Sequence, residues 1–217
     1  MSSPDVEPPR LIAVTNDDVV ARPDFMQRAV SIMKTCGPRA ALQLRSRALT
    51  ATALYDMAVA LQREAQSSGA MLFVNTRIDV ALASGAAGVQ LGRDAIPVGA
   101  AQRVAHQAGR GLRIGASVHG AAEATQAAAD GADLVILGTI WASGSHPGEE
   151  GSGVALVTEA AAVCPVPVYA IGGVTPPRAD EALEAGAYGV AVLSAVWDAA
   201  DAAAEAMVFL EAMQVVS

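Results

Sequence analysis

Eight short apolar segments recur along this chain, and a segment able to form a helix follows each of them. They read LIAVT (11–15), AALQL (40–44), MLFVN (71–75), GVQL (88–91), RIGAS (113–117), LVILG (134–138), PVYAIGG (167–173) and GVAVLS (189–194). Strands that are apolar throughout are buried on both faces, which is typical of parallel sheets covered by helices. The pattern therefore predicts eight strand-helix units.

The segment between the second and third predicted strands, residues 51–69, has helical spacing. One face of it carries Leu54, Met57, Ala58, Leu61 and Ala65. Gly69 is predicted to end the helix, because glycine readily adopts the left-handed conformation found after a helix C-terminus.

Two topologies are compatible with alternating strands and helices. A doubly wound open sheet usually has five or six strands, whereas eight units in 217 residues fit a compact (β/α)8 barrel, a fold that typically has about 250 residues. The sequence therefore favours a single-domain (β/α)8 TIM barrel. We expect a flexible, proline-rich leader over residues 1–9 and the barrel domain over residues 10–217.

Composition excludes several classes of protein. A hydrophobic content of 53% with 17% charged residues indicates a folded chain with a large core. The net charge of −8 argues against a nucleic-acid or anionic-membrane surface. Cys36 and Cys164 lack the spacing of a metal site.

Nothing in the sequence directs export or insertion into a membrane. The longest uncharged stretch, residues 160–177, contains Pro165, Pro167, Gly172 and Gly173, which would break a helix spanning a membrane. The expected location is cytoplasmic. The oligomeric state stays open, with a homodimer as the commonest symmetric assembly.

The chemistry of such barrels lies where strands end and helices begin. After the seventh strand, AIGGVTPP places Gly172 and Gly173 before Thr175, a suitable N-cap, and Pro176. The block VLSA, with Val192 and Ser194, ends the eighth strand. These two junctions predict a phosphate site built from backbone N–H groups, although two glycines also serve a tight turn.

The sixth junction is a long loop rich in Gly, Ser and Pro, GTIWASGSHPGEEGSG. Its place on the catalytic face favours a lid. Thr139 and His146 are candidate substrate-binding residues in it, with a solvated loop histidine as the alternative interpretation of His146.

The fifth junction, SVHGAAEA, carries Ser117 and His119. Histidine suits proton transfer near neutral pH, since its unperturbed pKa is about 6.5. His119 is therefore a candidate acid/base, the alternative being a polar residue that caps a turn.

The blocks LQLRSR, VNTRIDVALASGAAGVQLG, IGASVH, GTIWASGSHPGEEGSG and YAIGGVTPPRADEALEAGAYGVAVLSAVW follow one another in order. In this series the chain resembles the thiamin phosphate synthase superfamily, which also contains the thiazole tautomerases, from about Leu11 to Trp197. The resemblance implies a (β/α)8 fold that binds a small phosphorylated thiazole.

Some synthase motifs are retained and others are altered. The synthase pattern Q-L-R-E-K, whose basic pair helps hold pyrophosphate, matches Gln43, Leu44 and Arg45, and Arg47 replaces the lysine. The synthase patterns N-D-R and G-Q-E-D supply two aspartates for Mg, but here the first reads N-T-R from Asn75 and the second G-R-D-A, with Asp94 one place away. The synthase T-x-T-K lysine is also absent, since residues 143–146 end in His146.

These departures favour the tautomerase branch, because aromatising a carboxythiazole phosphate needs neither metal nor leaving group. In this interpretation His119 shuttles the proton, Arg45 or Arg47 binds the substrate carboxylate, and no cofactor is required. Gln43, Asn75, Ser117 and Thr139 complete the expected substrate site. The alternatives are a Mg-dependent thiamin phosphate synthase, in which Asp94 contributes to the metal site, or a non-catalytic regulator that binds thiazole phosphate.

Overall fold

The computed structural model describes residues 7–142 and 150–213. Eight parallel strands, each hydrogen-bonded to the next in chain order and the last to the first, close into a barrel. They are β1 (Leu11–Val14), β2 (Ala40–Leu44), β3 (Met71–Asn75), β4 (Gly88–Leu91), β5 (Arg113–Val118), β6 (Leu134–Gly138), β7 (Val168–Ile171) and β8 (Gly189–Val192). The predicted (β/α)8 barrel is confirmed.

Helices surround the barrel and cover its outer face. They are α1 (Asp17–Val20), α2 (Phe25–Cys36), α3 (Ala51–Ser68), α4 (Ile78–Ser84), α5 (Val98–Gln107), α6 (Ala121–Ala129), α7 (Ala155–Val163), α8 (Pro176–Glu184), α9 (Ser194–Trp197) and α10 (Ala202–Ala212). Within residues 7–142 and 150–213, no helix has the length and apolar content needed to cross a bilayer.

Helix α3 forms as its spacing predicts. The Thr50 side chain accepts a hydrogen bond from the Ala53 N–H at 3.2 Å, which satisfies one of the free donors of the first turn. At the other end Gly69 has φ +80°, the left-handed conformation expected of a residue that ends a helix. The predicted face is buried at Leu54, Ala58, Leu61 and Ala65, with Met57 at its edge.

Alternate residues of each strand lie on opposite sides of the barrel wall. One side packs under the helices, as Leu42 and Leu44 do in β2. The other side fills the lumen with Ile12, Val14, Ala41, Met71, Phe73, Leu134, Ile136, Tyr169 and Ala191. Because both faces are buried, the strands read as continuous apolar runs.

Two tyrosines close the N-terminal end of the barrel. The Tyr169 hydroxyl donates to the Pro9 carbonyl at 2.6 Å, and the Tyr188 hydroxyl donates to the Pro8 carbonyl at 2.7 Å. Burial raises the pKa of Tyr169, so its hydroxyl stays protonated and donates. Pro8 and Pro9 therefore rest against the barrel. The division between leader and barrel at residue 9 stays a prediction, and residues 1–6 lie outside the described part.

Strands β7 and β8 are shorter than the sequence pattern indicates. β7 ends at Ile171, two residues before the predicted end, because Gly172 and Gly173 have φ +101° and +61° and leave the extended conformation. β8 ends at Val192, and Ser194 begins the short helix α9. These glycines and this serine consequently lie in the loops above the barrel.

Candidate active site

Polar side chains replace the apolar lumen at the C-terminal end of strands β2 to β5. Gln43 donates from Nε2 to Asn75 Oδ1 at 2.9 Å, and Gln90 donates from Nε2 to Ser117 Oγ at 3.0 Å. Gln43 and Gln90 are buried, whereas Ser117 is exposed although it lies within a strand. An exposed strand residue facing the lumen means that the mouth of the barrel is open to solvent here.

One atom of this polar layer lacks a partner. Gln43 Oε1 is buried and accepts no hydrogen bond from any described residue. A buried acceptor without a donor costs free energy, on the order of 1–3 kcal/mol. A ligand N–H group reaching the floor of the mouth would remove that cost.

Gly115 leaves the space that the Gln90 side chain occupies. A Cβ atom at position 115 would lie 2.1 Å from Gln90 Oε1 and 3.1 Å from Leu134 Cδ1. The glycine therefore allows Gln90 to lie across the lumen and reach Ser117 on the neighbouring strand.

The loop after β2 is held by residues at the end of β1. Thr15 is fully buried; its hydroxyl accepts from the Arg45 N–H at 2.8 Å and donates to the Arg45 carbonyl at 2.9 Å. Asp17 Oδ1 accepts from Ser46 Oγ at 2.6 Å and from the backbone N–H groups of Arg47 and Ala48 at 2.8 and 3.0 Å. These hydrogen bonds, led by that of Ser46, hold the pKa of Asp17 below its ordinary value.

The third and fourth junctions carry arginines and no pair of aspartates. Arg77 makes a two-pronged ion pair with Asp79, at 2.8 Å from Nε and 2.5 Å from Nη2. Arg93 and Asp94 are both exposed. Thr76, at the first expected aspartate position, has φ +64°, which is rare for a β-branched residue and better tolerated by Asp or Asn.

The described residues do not fit the Mg site that the family resemblance implies. Magnesium requires hard oxygen ligands in near-octahedral geometry. The Thr76 hydroxyl instead accepts a hydrogen bond from Asn75 Nδ2 at 2.9 Å, and the second aspartate position is Ala95. Outside the gap at 143–149 and the two termini, no three His, Cys, Asp or Glu side chains come together as a metal site would require.

His119 lies at the end of β5 with its ring fixed by the next strand. Its Nδ1 is 2.6 Å from the Gly138 carbonyl oxygen. Because a carbonyl only accepts hydrogen bonds, Nδ1 carries the proton, and in the neutral ring Nε2 is left as an acceptor. The His119 backbone N–H donates to Glu123 at 2.8 Å, and the residue is exposed on the mouth side.

The seventh and eighth junctions offer backbone donors. No hydrogen bond within the described residues uses the N–H groups of Gly172, Gly173 or Ser194. The Thr175 side chain makes no capping bond at the start of α8, so the donors of its first turn are also free of that partner. Val192 points under the helices, so only its backbone faces the strand ends.

The two glycines have a packing role as well. A Cβ at Gly172 would lie 2.4 Å from Thr139 Cγ2, and one at Gly173 would lie 2.5 Å from the Ala142 carbonyl oxygen. The start of the sixth loop therefore packs directly on the end of β7. Trp141, in the same loop, makes a further contact with α8, because the Arg178 guanidinium lies 5.5 Å from the centre of the Trp141 ring. His146 lies outside the described residues.

The structure thus assembles two polar regions around one open mouth. Gln43, Asn75 and Ser117 line the floor, Arg45 and Arg47 lie on the loop above β2, and Thr139, Gly172 and Gly173 meet at the junction of the sixth and seventh loops. The sequence interpretation missed Thr15, Asp17 and Gln90. The motif TND directly after the first strand was the available signal for the first two.

The polar mouth lies at the C-terminal ends of the strands, the face on which the active sites of (β/α)8 enzymes are found. The family model described as thiamine monophosphate synthase matches residues 11–196. This chain therefore belongs to the thiamine monophosphate synthase family.

Curated relatives match over most of their length. The thiamine-phosphate synthase of Methanoculleus marisnigri is 43% identical over 166 residues, covering 76% of this chain and 77% of the relative. That of Chlorobium luteolum is 36% identical over 197 residues, covering 90% and 88%. Among solved structures, the thiamine phosphate pyrophosphorylase from Pyrococcus furiosus superposes with a TM-score of 0.81 at 29% identity, covering 94% of this chain and 96% of that one.

These comparisons show that the expectation of a thiazole tautomerase, an isomerase, is wrong. The relatives at 36–43% identity are named thiamine-phosphate synthase. The expectation gave most weight to a few altered side chains, whereas the similarity extends over the barrel. His119 shows the physical reason: an exposed histidine whose ring is held through Nδ1 by Gly138 can bind a substrate as readily as it can move a proton.

Proposed function

We propose that this protein is a thiamine-phosphate synthase, a transferase that joins a pyrimidine, supplied as its pyrophosphate ester, to a thiazole phosphate. The observation that carries the proposal is the similarity, across most of the barrel, to proteins named for that reaction. The open polar mouth supports it, because two anionic substrates need donors at both sides of one cavity.

The chemistry of this transfer places its largest demand on the leaving group. The lone pair of the thiazole nitrogen forms a bond to the methylene carbon of the pyrimidine, the carbon–oxygen bond breaks, and its electron pair departs with pyrophosphate. No proton is gained or lost overall. Stabilisation of the developing negative charge therefore matters more than acid/base catalysis.

We assign the residues around the mouth to two groups, one for each substrate. Arg45 and Arg47 bind the pyrophosphate, since guanidinium groups suit phosphate oxygens. Gln43 Oε1, buried without a donor, receives an N–H of the amino-substituted pyrimidine. The thiazole phosphate binds to the N–H groups of Gly172, Gly173 and Ser194, beside Val192 and Thr139.

Ser117 and His119 lie between these regions and serve as positioning groups for the heterocycles. In this role Nε2 of His119, an exposed residue, accepts a hydrogen bond from the substrate and does not shuttle a proton. Asn75 holds Gln43 in place through the bond at 2.9 Å.

The proposal is tested by incubating the purified full chain with both substrates and measuring thiamine phosphate by mass spectrometry, with Mg²⁺ and with EDTA. We expect product in multiple turnovers and none when either substrate is left out. Gln43→Leu should raise the KM for the pyrimidine substrate by about tenfold, the loss of one buried hydrogen bond. The matched control Gln107→Leu, at the exposed end of α5, should leave it unchanged. Absence of product in both buffers would overturn the proposal.

A further inference from the structure

The residues at the third and fourth junctions, where the synthase patterns hold a metal ion, are less negatively charged in this chain. The synthase patterns place two carboxylates at the third and fourth junctions, and a divalent cation balances them. Here Thr76 and Ala95 are neutral, and Arg93 adds a positive charge beside them. The two carboxylates that would attract a cation are therefore missing, and the guanidinium of Arg93 supplies a positive charge instead.

Strand register brings the relevant junctions side by side. Leu44 of β2 pairs with Val74 of β3, and Asn75 of β3 pairs with Gln90 of β4. Neighbouring strands are about 4.8 Å apart. The loops that carry Arg45 and Arg47, then Thr76, then Arg93 therefore leave the barrel at adjacent points on its rim.

The arginines on this rim differ in whether an acidic side chain already neutralises their charge. Arg77 is neutralised by its two-pronged pair with Asp79. No hydrogen bond or ion pair between described residues involves the guanidinium of Arg45, Arg47 or Arg93. Asp17 interacts electrostatically with Arg45, but its Oδ1 accepts hydrogen bonds from a hydroxyl and two backbone N–H groups of the loop.

We propose that Arg93 takes the place of the metal ion, so that Arg45, Arg47 and Arg93 bind a diphosphate group without Mg²⁺. The inference rests on the proposed function for the identity of the substrate. Guanidinium groups present several N–H donors to phosphate oxygens and carry a permanent positive charge. A divalent cation bound next to Arg93 would be repelled by that charge. Asp94 remains exposed as the acid next to Arg93 and lacks a second carboxylate to form a metal site.

Calorimetric titration of the full chain with inorganic pyrophosphate tests this directly. We expect binding in EDTA that Mg²⁺ does not strengthen. Arg93→Ala should weaken binding in EDTA by about tenfold, the loss of one charge-assisted interaction. Arg103→Ala is the matched control, since Arg103 is an exposed arginine of the same strand-helix unit. Thermal melts check that both variants fold.

A reverse substitution sharpens the test. The triple variant Thr76→Asp, Arg93→Gln and Ala95→Asp restores the two aspartates and the glutamine of the synthase patterns, and it should bind pyrophosphate only when Mg²⁺ is present. Binding by the unaltered protein that needs Mg²⁺, no binding in either buffer, or an Arg93→Ala variant equal to Arg103→Ala would each overturn the inference.

The titration separates this inference from the proposed function. A protein that forms thiamine phosphate but binds pyrophosphate only with Mg²⁺ would retain the function and lose the inference. A protein that binds pyrophosphate in EDTA but forms no thiamine phosphate would retain the inference and lose the proposed function.

Discussion

Asp17 is the residue that contributes most to the shape of the candidate site without being predicted for it. It makes three hydrogen bonds to the loop of residues 46–48, some thirty positions away in the chain. Such tertiary contacts leave no periodic pattern in a sequence. The positions of the strands and of helix α3, in contrast, follow from local periodicity, and the sequence pattern agrees with them to within about two residues.

Asp17 also predicts a pH dependence of stability. Its pKa lies below the ordinary value of 3.8, so its carboxylate stabilises the fold above that pH and this contribution is lost as the pH falls through the lowered pKa. We expect Asp17→Asn to be less stable than the unaltered protein at neutral pH, with the difference in the free energy of unfolding narrowing as the pH falls below 3.8. Urea unfolding measures it. Asp18→Asn removes the same charge from the exposed neighbour and is the matched control.

Gly115 gives a second prediction for a single residue. Gly115→Ala places a methyl group 2.1 Å from Gln90 Oε1, so Gln90 must leave its position beside Ser117. We expect the free energy of unfolding to fall by about 1–3 kcal/mol, the usual cost of overpacking. At Gly92 a Cβ has no atom within 4 Å, so Gly92→Ala is the control, and an equal loss in both variants would contradict this account.

Helix α3 shows how much of an element can be predicted from local signals. Its buried face and its end at Gly69 agree with the sequence pattern, and the structure adds the N-cap at Thr50. The loops after β7 and β8 show where this fails: apolar residues continue past the strands, and backbone conformation at Gly172 and Gly173 ends β7 early.

The Thr50 cap can be tested at the scale of this helix. Thr50→Ala removes the acceptor for the Ala53 N–H and should lower the free energy of unfolding by about 1 kcal/mol. Thr50→Ser keeps a hydroxyl and should retain most of the stability. Chemical denaturation of both variants compares them, and an equal loss would show that the hydroxyl bond does not stabilise α3.

For the whole molecule, the fold and the chemistry were predictable to different extents. The count of eight strand-helix units was sufficient for the barrel, because few topologies bury eight doubly apolar strands. The type of reaction could not be predicted from that count, because it depends on a few side chains at the rim. Thr76, Ala95 and Arg93 pointed away from a Mg-dependent transferase, whereas similarity over the barrel points to the transferase family.

The proposed role of Arg93, next to the two altered aspartate positions, accounts for both observations. In that proposal the charge that stabilises the leaving group comes from side chains instead of a metal ion. The altered residues then mark a different means of holding pyrophosphate within the same family.

The most direct test follows phosphorus NMR signals of the full chain with both substrates in EDTA. The account predicts that pyrophosphate appears in a one-to-one ratio with thiamine phosphate, while the thiazole phosphate signal declines at the same rate. Unchanged substrate signals, or pyrophosphate released without thiamine phosphate, would contradict it.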